Sequence, residues 1–255
     1  MIDLHSHILP GIDDGAASLD VAIDMARMWL DEGVTTVACT PHILPAVYAN
    51  SGPQIEQATT GLRIALAIKG VALNLVAGAD NHVVPDLVRG LKEGRLLSLA
   101  GSKYVLVEPP HHVCPPRLDR LFFDIFSAGY VPILTHPERL TWIEGNYALI
   151  GTLAQSGVLM QITAGSLLGH FGRRARYWAE RMLDDGIVDL LASDAHDAQV
   201  RRPNLRAGYE AVAHRAGHSL AEQITKILPQ NILDDGMARN AGRETHPGTQ
   251  SLVGV

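Results

Sequence analysis

The chain has 255 residues, of which 47% are apolar and 19% are charged. This composition is typical of a globular protein and excludes a disordered, collagen-like or coiled-coil chain. The 27 acidic residues outnumber the 21 lysines and arginines, so the formal net charge is −6. An acidic chain without a basic run is a poor candidate for binding nucleic acid or an anionic membrane, and we expect neither as a partner.

No segment of the sequence predicts secretion or membrane insertion. No stretch approaches the roughly 20 consecutive apolar residues needed to span a bilayer. The start, Met-Ile-Asp-Leu-His, lacks the basic and apolar regions of a secretory signal. The two cysteines, Cys39 and Cys114, are too few for a disulfide framework. These features predict a cytoplasmic protein.

Seven short apolar runs, each followed by a helical or loop segment, carry the main secondary-structure signal. Most of them are continuous rather than alternating, which is typical of strands covered on both faces in a parallel sheet. The predicted strands are 2–4, 35–39, 73–77, 104–107, 131–134, 158–162 and 188–191.

The segments between these runs have helical patterns that end at glycines. In the first, Ser18 is predicted as the N-cap and Gly33 as the residue after the last turn. Repetition of strand, helix and glycine predicts a parallel α/β fold. Seven such units within residues 2–191 favour a single-domain, closed or nearly closed barrel, with an open doubly wound sheet as the alternative.

The C-terminal part of the sequence has a different pattern. Two further helices are predicted at 205–216 and 220–228. From Met237 onward the chain is rich in Gly, Asn, Thr, Ser and Pro and has few apolar anchors. We therefore expect one domain over residues 1–236 and a mobile tail over 237–255.

Imidazoles or carboxylates follow six of the seven predicted strands. In an α/β barrel the carboxyl ends of all strands meet at one mouth, where active sites lie. Residues two apart on a strand point to the same face, so a His-x-His or Asp-x-His motif directs both side chains to one point. The candidate metal ligands are His5, His7, His42, Asp80, Glu108, His136, Asp194 and His196.

This set of donors predicts a multinuclear metal centre. Several convergent ionisable groups cannot be buried unpaired without a large cost, and divalent cations offset that cost. Eight nitrogen and oxygen donors exceed one tetrahedral site and suit two or three ions. Imidazole and carboxylate without thiolate favour Mn, Fe or Zn. Two such ions close together generate hydroxide from bound water. They also hold the attacking and leaving oxygens in line during a displacement at phosphorus.

Further polar residues follow these motifs. The Asp-Asp-Gly run at 13–15 has two interpretations, a simple turn or a further carboxylate at the mouth, for which Asp14 is the better candidate. Arg139, Arg201 and Arg202 follow metal-ligand motifs and are candidates for holding a phosphate by a bidentate fork. Arg139 is the favoured one.

Cys114 to Arg120 matches the Cys-x5-Arg phosphate loop of cysteine-dependent tyrosine phosphatases. That loop works by directing consecutive backbone N–H groups at phosphate, and Pro115 and Pro116 have none. Cys114 is therefore not predicted as a nucleophile.

The remaining histidines receive weaker assignments. His111 and His112 are interpreted as loop residues with limited scope for substrate contact. No site role is predicted for His82, His170, His214, His218 and His246.

The ordered set of motifs resembles the polymerase-and-histidinol-phosphatase (PHP) family. More narrowly, it resembles the bacterial metal-dependent protein-tyrosine phosphatases of capsule and exopolysaccharide operons, over roughly residues 1–235. The matching motifs are Ile-Asp-Leu-His-Ser-His at 2–7, Asp-Asp-Gly at 13–15, Thr-Pro-His at 40–42, Glu108, Thr-His-Pro-Glu-Arg at 135–139 and Ala-Ser-Asp-Ala-His at 192–196.

The resemblance implies a distorted (β/α)7 TIM-like barrel with a trinuclear, usually manganese-type, centre. It also implies a substrate, the phosphorylated tyrosine-rich tail of a membrane tyrosine autokinase. Two features depart from the family. Asp80 stands where the family usually has Glu, and two prolines follow Glu108 where the family tends to have an aromatic and a small residue.

The expected reaction is direct hydrolysis without a covalent enzyme intermediate. Arg139 would stabilise the equatorial oxygens of the phosphoryl group. His42 or His196 would protonate the leaving group, and the sequence does not separate their roles. Two alternatives stay open, a histidinol-phosphatase-like phosphoesterase for small molecules and a non-catalytic metal-binding regulator.

Overall fold

The computed structural model describes residues 1–244 of the chain, with side chains as far as 237. Within that part the chain forms nine strands, and every strand pair is parallel. The strands are β1 (Ile2–Asp3), β2 (Thr36–Cys39), β3 (His42–Ile43), β4 (Asn74–Ala77), β5 (Asp80–His82), β6 (Tyr104–Glu108), β7 (Val131–Thr135), β8 (Leu159–Thr163) and β9 (Leu190–Ala192).

Seven of the nine strands lie at the predicted positions, and β3 and β5 lie beyond them. β3 follows β2 after Thr40 and Pro41, and β5 follows β4 after Gly78 and Ala79. Proline has no N–H to donate to a ladder, so Pro41 separates β2 from β3. At Gly78 a Cβ would lie only 3.0 Å from a side-chain atom of Leu99, so the backbone approaches its neighbours closely there.

These interruptions divide the hydrogen-bond ladders into two sheets, ordered β1-β2-β4 and β3-β5-β6-β7-β8-β9. An isolated parallel bridge between Ser6 and Ala195 connects the ends of the first and last strands. The His7 N–H donates to the Ala195 carbonyl at 2.9 Å, and the Asp194 N–H donates to the His5 carbonyl at 3.0 Å. The predicted parallel α/β fold is confirmed, but the described residues form no continuous closed barrel ladder.

Helices connect the strands and cover the outer faces of the sheets. The first begins as predicted, with Ser18 accepting a hydrogen bond from the Val21 N–H at 3.3 Å. The described helices are α1 (Leu19–Asp31), α2 (Gly52–Ile68), α3 (Leu87–Lys92), α4 (Leu118–Ser127), α5 (Ile143–Gln155), α6 (Ala164–Leu167), α7 (Gly172–Asp184), α8 (Leu205–Ala216), α9 (His218–Glu222) and α10 (Leu228–Glu244).

Two apolar clusters stabilise the fold. The larger lies between the sheets and the surrounding helices. The smaller lies inside the ring of strands, where Leu4, Leu106 and Ile133 pack with Ile232 and Leu233 of α10. The Lys103 N–H, just before β6, donates to Asp235 at 2.8 Å, so α10 lies at the amino ends of the strands. The carboxyl ends are left for the polar residues described below.

Helix α10 also passes through position 237, at which the sequence predicts the start of a tail. That boundary therefore falls within a helix, because the polar composition after Met237 does not interrupt the helical backbone. Residues 245–255 of the expected tail lie outside the described residues, and its mobility stays a prediction. None of the described helices combines the length and the hydropathy that crossing a bilayer requires.

Candidate metal centre

His5 and His7 extend from β1 into the interior at the carboxyl end of the sheets, and both are fully buried. The Nδ1 atom of His5 donates to Gln161 Oε1 at 2.8 Å, and that of His7 donates to Asp13 Oδ2 at 2.7 Å. The two Nε2 atoms face each other at 3.3 Å. Because each Nδ1 has an acceptor, the Nε2 lone pairs are directed inward, as in metal-ligating histidines.

Two carboxylates complete this first group of donors. Asp80 Oδ2 lies 3.5 Å from His5 Nε2, and Asp194 Oδ1 lies 3.3 Å from His7 Nε2. Asp80 is fully buried, and neither of its oxygens has a hydrogen-bond partner among the described side chains and backbone. A buried carboxylate without a partner is strongly unfavourable unless a cation neutralises it. The donor set therefore fits a divalent cation.

A second group surrounds Glu108 at the end of β6. His136 Nε2 lies 3.5 Å from Glu108 Oε1, and His111 Nε2 donates to the same oxygen at 3.1 Å. The Nδ1 atom of His136 is buried without a hydrogen-bond partner in the described structure. His136 and Asp194 both adopt left-handed backbone, with φ of 33° and 52°. Such strained positions in non-glycine residues concentrate at functional sites.

A third group contains Asp14, His42 and His196. The Nε2 atoms of the two histidines lie 3.5 and 3.7 Å from Asp14 Oδ1. His196 Nδ1 donates to the Asp194 carbonyl at 3.0 Å, which leaves Nε2 as a buried atom without a hydrogen-bond partner in the described part of the chain. Asp13 has a different role, because it accepts from the Gly15 and His42 N–H groups as well as from His7. Asp14 is thus the carboxylate free for a ligand.

The structure corrects the assignment of His82. No site role is predicted for it, yet it lies at the end of β5 with Nε2 at 2.5 Å from Glu108 Oε2 and 3.3 Å from His42 Nδ1. A lone histidine has no pattern of its own. Its spacing of two residues from Asp80 on one strand is the signal that would have found it. His111, interpreted as a loop residue, also lies within the site.

Of the three arginines predicted as phosphate ligands, two line the cavity. Arg139 forms an ion pair with Asp194, and Arg201 Nη2 lies 2.7 Å from the same oxygen of that carboxylate. The ring of Phe171 lies 4.2 Å from the Arg139 guanidinium and 5.7 Å from that of Arg201. Arg202 does not line the cavity. Its side chain is exposed, and its neighbour Arg201 occupies the inward position, so a phosphate contact by Arg202 stays a prediction without support from its placement.

A cavity of about 210 Å³ opens above these groups. Tyr48 stands at its edge, with its ring stacked on that of His42 at a centroid distance of 5.6 Å. The lining residues come from six strand ends and the loops that follow them, and they are Asp14, His42, Leu44, Tyr48, His82, Glu108, His111, His136, Arg139, Asp194, His196 and Arg201.

The carboxylates of the site carry negative charge at neutral pH. Burial raises the pKa of Asp194, but Arg201 and His5 outweigh that effect and hold the pKa well below its usual range. Burial also raises the pKa of Glu108, and the neighbouring imidazoles His111 and His42 lower it further than burial raises it. Burial lowers the pKa of His42, but contacts with Asp80 and Glu108 raise it to about 11. The site therefore attracts cations.

Neither cysteine takes part in this arrangement. Burial raises the pKa of the Cys39 thiol to about 12 and also raises that of Cys114. A raised pKa disfavours the thiolate, which is the nucleophilic form. The structure thus agrees with the prediction that Cys114 is not a nucleophile.

Fold and site together define a parallel α/β protein with groups of candidate metal ligands at the carboxyl ends of its strands. Comparison with known proteins identifies its family. A family model described as capsular polysaccharide synthesis, CpsB/CapC, matches residues 1–234. The chain belongs to this family, and the resemblance to the phosphatases of capsule operons is confirmed.

Relatives of known name are similar over most of their length. The chain is 33% identical over 226 residues to tyrosine-protein phosphatase YwqE of Bacillus subtilis, covering 89% of each chain. It is 28% identical over 246 residues to tyrosine-protein phosphatase CpsB of Streptococcus pneumoniae, covering 92% of this chain and 99% of that one.

A similar solved structure comes from the crystal structures of YwqE from Bacillus subtilis and CpsB from Streptococcus pneumoniae, which are described as unique metal-dependent tyrosine phosphatases. Its TM-score is 0.88 at 31% identity, and the match covers 92% of this chain and 95% of that one.

Proposed function

We propose that this protein is a metal-dependent protein-tyrosine phosphatase that acts on the phosphotyrosine tail of a bacterial membrane tyrosine kinase controlling capsule or exopolysaccharide synthesis. One observation carries the proposal. Four overlapping groups of imidazole and carboxylate donors converge below one cavity, and two arginines stand beside them. The names of its relatives supply the substrate class. A cytoplasmic location follows if the substrate is such a kinase tail.

The donors favour two or three divalent ions. Hard oxygen and imidazole ligands without thiolate suit manganese best, with iron or zinc as alternatives. Such ions, when bound, lower the pKa of water and neutralise phosphate charge. The proposed ligand groups are His5, His7, Asp80 and Asp194 for one ion, Glu108 and His136 for a second, and Asp14, His42 and His196 for a third.

Arg139 and Arg201 are proposed to bind the phosphate. Both contact Asp194, which holds them at the cavity wall beside the donor groups. A guanidinium presents several N–H donors in a planar fork, so it can keep one contact with Asp194 while another N–H binds a phosphate oxygen. Phe171 packs against both guanidiniums and restricts their movement. The two arginines thereby stabilise the charge that the equatorial oxygens carry in the transition state.

The substrate tyrosine leaves as a phenolate, which requires a proton or a cation. Of the two imidazoles beside Asp14 on the cavity wall, His42 is the proposed proton donor where it does not hold the third ion, because burial lowers the pKa of His196 to about 2. Leu44 and Tyr48 line the same cavity and offer an apolar and aromatic surface to a phenyl ring. No side chain is required as a covalent nucleophile, in agreement with the raised pKa of both thiols.

Substrate preference tests the proposal. Turnover should be measured on a tyrosine-phosphorylated peptide and on histidinol phosphate, with the same manganese-loaded protein. We expect a strong preference for the peptide. A strong preference for histidinol phosphate would instead support a small-molecule phosphoesterase. If protein of verified metal content hydrolysed no phosphomonoester, the non-catalytic regulator would be the better explanation.

A further inference from the structure

His82 and Glu108 lie opposite each other on adjacent parallel strands, in register across β5 and β6. The intervening residue on β5, Asn81, is anchored away from the cavity. Its side-chain amide donates to the carbonyls of Ala79, Leu97 and Leu106 at 2.9 to 3.1 Å. With Asn81 held in this way, β5 presents Asp80 and His82 to the interior together.

Three donor atoms form a small triangle at this point. His82 Nε2 lies 2.5 Å from Glu108 Oε2 and 3.3 Å from His42 Nδ1, and His42 Nδ1 lies 3.2 Å from Glu108 Oε2. Two ligands that each lie about 2.0–2.2 Å from one cation are separated by less than about 4.4 Å. All three separations are compatible with a shared ion.

The contact between His82 and Glu108 lacks the geometry of a hydrogen bond. Glu108 Oε2 is buried, and among the described residues no N–H is directed at it, although two imidazole nitrogens are close. The other oxygen, Oε1, does accept a hydrogen bond from His111. Glu108 Oε2 is thus available to a cation. His82 Nε2 pairs with His42 Nδ1 at 3.3 Å in this structure, and in the tautomer with its proton on Nδ1 it can turn its electron pair to a cation instead.

Asp80 does not supply this donor. In the described structure, Asp80 forms a compact donor group with His5 and His7. The two compact groups that contain Glu108 include only histidines besides it, namely His42 with His82 and His111 with His136. Because the short side chain of Asp80 lies with His5 and His7, the imidazole of His82 is the group beside Glu108 Oε2.

We propose that His82 is a metal ligand of this protein and that its Nε2 atom and Glu108 Oε2 hold one divalent cation. This inference rests on the proposed function only in that both require a metal centre. His42 then keeps Nε2 for the Asp14 group, and its Nδ1 lies 3.5 Å from Asp80 Oδ2 and 3.2 Å from Glu108 Oε2. The second ion site thereby gains a nitrogen donor.

Metal binding by H82A and H82Q tests this directly. Each variant, stripped of metal, is titrated with Mn²⁺ and with Co²⁺, and bound metal is counted by elemental analysis after dialysis. We expect one ion to bind at least about tenfold more weakly than in the unaltered protein. We also expect the visible absorption of the Co²⁺ form to change. H214A is the matched control, because His214 is an exposed histidine in the last turn of α8.

Added imidazole separates ligation from a merely structural contact. It should restore the tight ion and the Co²⁺ spectrum of H82A, because free imidazole can occupy the space of the missing ring. Unchanged metal affinity in folded H82A or H82Q, or a loss that imidazole does not restore in either variant, would overturn the proposal. Circular dichroism establishes folding, and H82Q retains a polar side chain if H82A does not fold. None of these readouts measures phosphotyrosine hydrolysis, so failure of the proposed function would be seen separately.

Discussion

The interior of the strand ring has two layers that differ sharply in chemistry. Along β6, Leu106 belongs to the apolar cluster closed by α10, and Glu108, two residues later on the same face, belongs to the metal centre. In the same way, Ile133 of β7 belongs to the apolar cluster, and His136, directly after β7, belongs to the donor groups. The apolar layer is almost completely buried, and so are most of the donors, whereas Asp14 is exposed and His42 is partly exposed. Burial alone therefore does not define the core of this protein.

The two layers contribute in opposite ways to stability. Burial of each large aliphatic side chain in the apolar layer stabilises the fold by about 1.5–3 kcal/mol. The donor layer instead gathers ionised carboxylates in a region from which water is excluded, and this arrangement is unfavourable until cations bind. We therefore expect changes in the donor layer to affect turnover and changes in the apolar layer to affect folding. The predictions below are ordered by their effect on turnover.

Removal of metal should have the largest effect. Prolonged treatment with a chelator should abolish hydrolysis of a phosphotyrosine peptide, and addition of Mn²⁺ should restore it, because the donor groups need cations to bind phosphate. Elemental analysis of each sample checks the metal content. Alkylation of Cys114 should leave turnover intact. Full activity in protein shown to be metal-free would contradict the proposed mechanism.

Asp80→Asn should lower turnover far more than it lowers the free energy of unfolding. Loss of this carboxylate should lower kcat/KM by at least about 100-fold, because even residues behind metal ligands contribute about 10–100-fold. The free energy of unfolding of the metal-free chain should fall only slightly, because Asp80 makes no hydrogen bond in the described structure and lies 3.5 Å from His5 Nε2 and from His42 Nδ1. Urea unfolding in the presence of a chelator measures this. A clearly destabilised metal-free variant would show that Asp80 serves the fold.

Arg201→Ala should reduce kcat/KM by roughly 10- to 100-fold. A hydrogen bond to a charged group contributes about 1.5–3 kcal/mol, and the variant removes one proposed donor to phosphate. Arg202→Ala is the matched control and should behave like the unaltered protein, because Arg202 is exposed and lies outside the cavity lining. Steady-state kinetics on a phosphotyrosine peptide compares the two. Equal losses in both variants would remove Arg201 from the phosphate site.

Leu106→Ala should have the smallest effect on turnover and a large one on folding. Leu106 is fully buried in the apolar layer. Its truncation should lower the free energy of unfolding by about 2–5 kcal/mol, as for other buried leucines. Metal content and kcat measured well below the unfolding temperature should be unchanged. A loss of bound metal in the folded variant would mean that the two layers are coupled.

Much of this organisation can be predicted from sequence because it depends on local patterns. Continuous apolar runs located all seven strand positions, and the polar residues after them located the donors of the site. The short strands β3 and β5 were missed, because two or three residues rich in polar side chains make no apolar run. Arg201 and Arg202 were not separated, because adjacent arginines in one loop give no indication of which points inward.

Other site residues depend on contacts between distant parts of the chain. Gln161 orients His5 across 156 positions, and Asp13 supports both His7 and the backbone of His42. His82 and His111 are isolated histidines until β5 and the loop after β6 bring them to Glu108. Only the folded structure identifies these contacts; of the residues named, His82 alone has a sequence signal, its spacing of two residues from Asp80.

The central claim is that donors from separate strand ends form one metal centre. Anomalous diffraction from crystals of the protein grown with Mn²⁺, collected at the manganese absorption edge, tests this most directly. The claim predicts two or three peaks below the single cavity, among His5, Asp194, Glu108, His136 and His196. Crystals of active protein with no peak among these side chains, or with peaks only at separate surface sites, would contradict it.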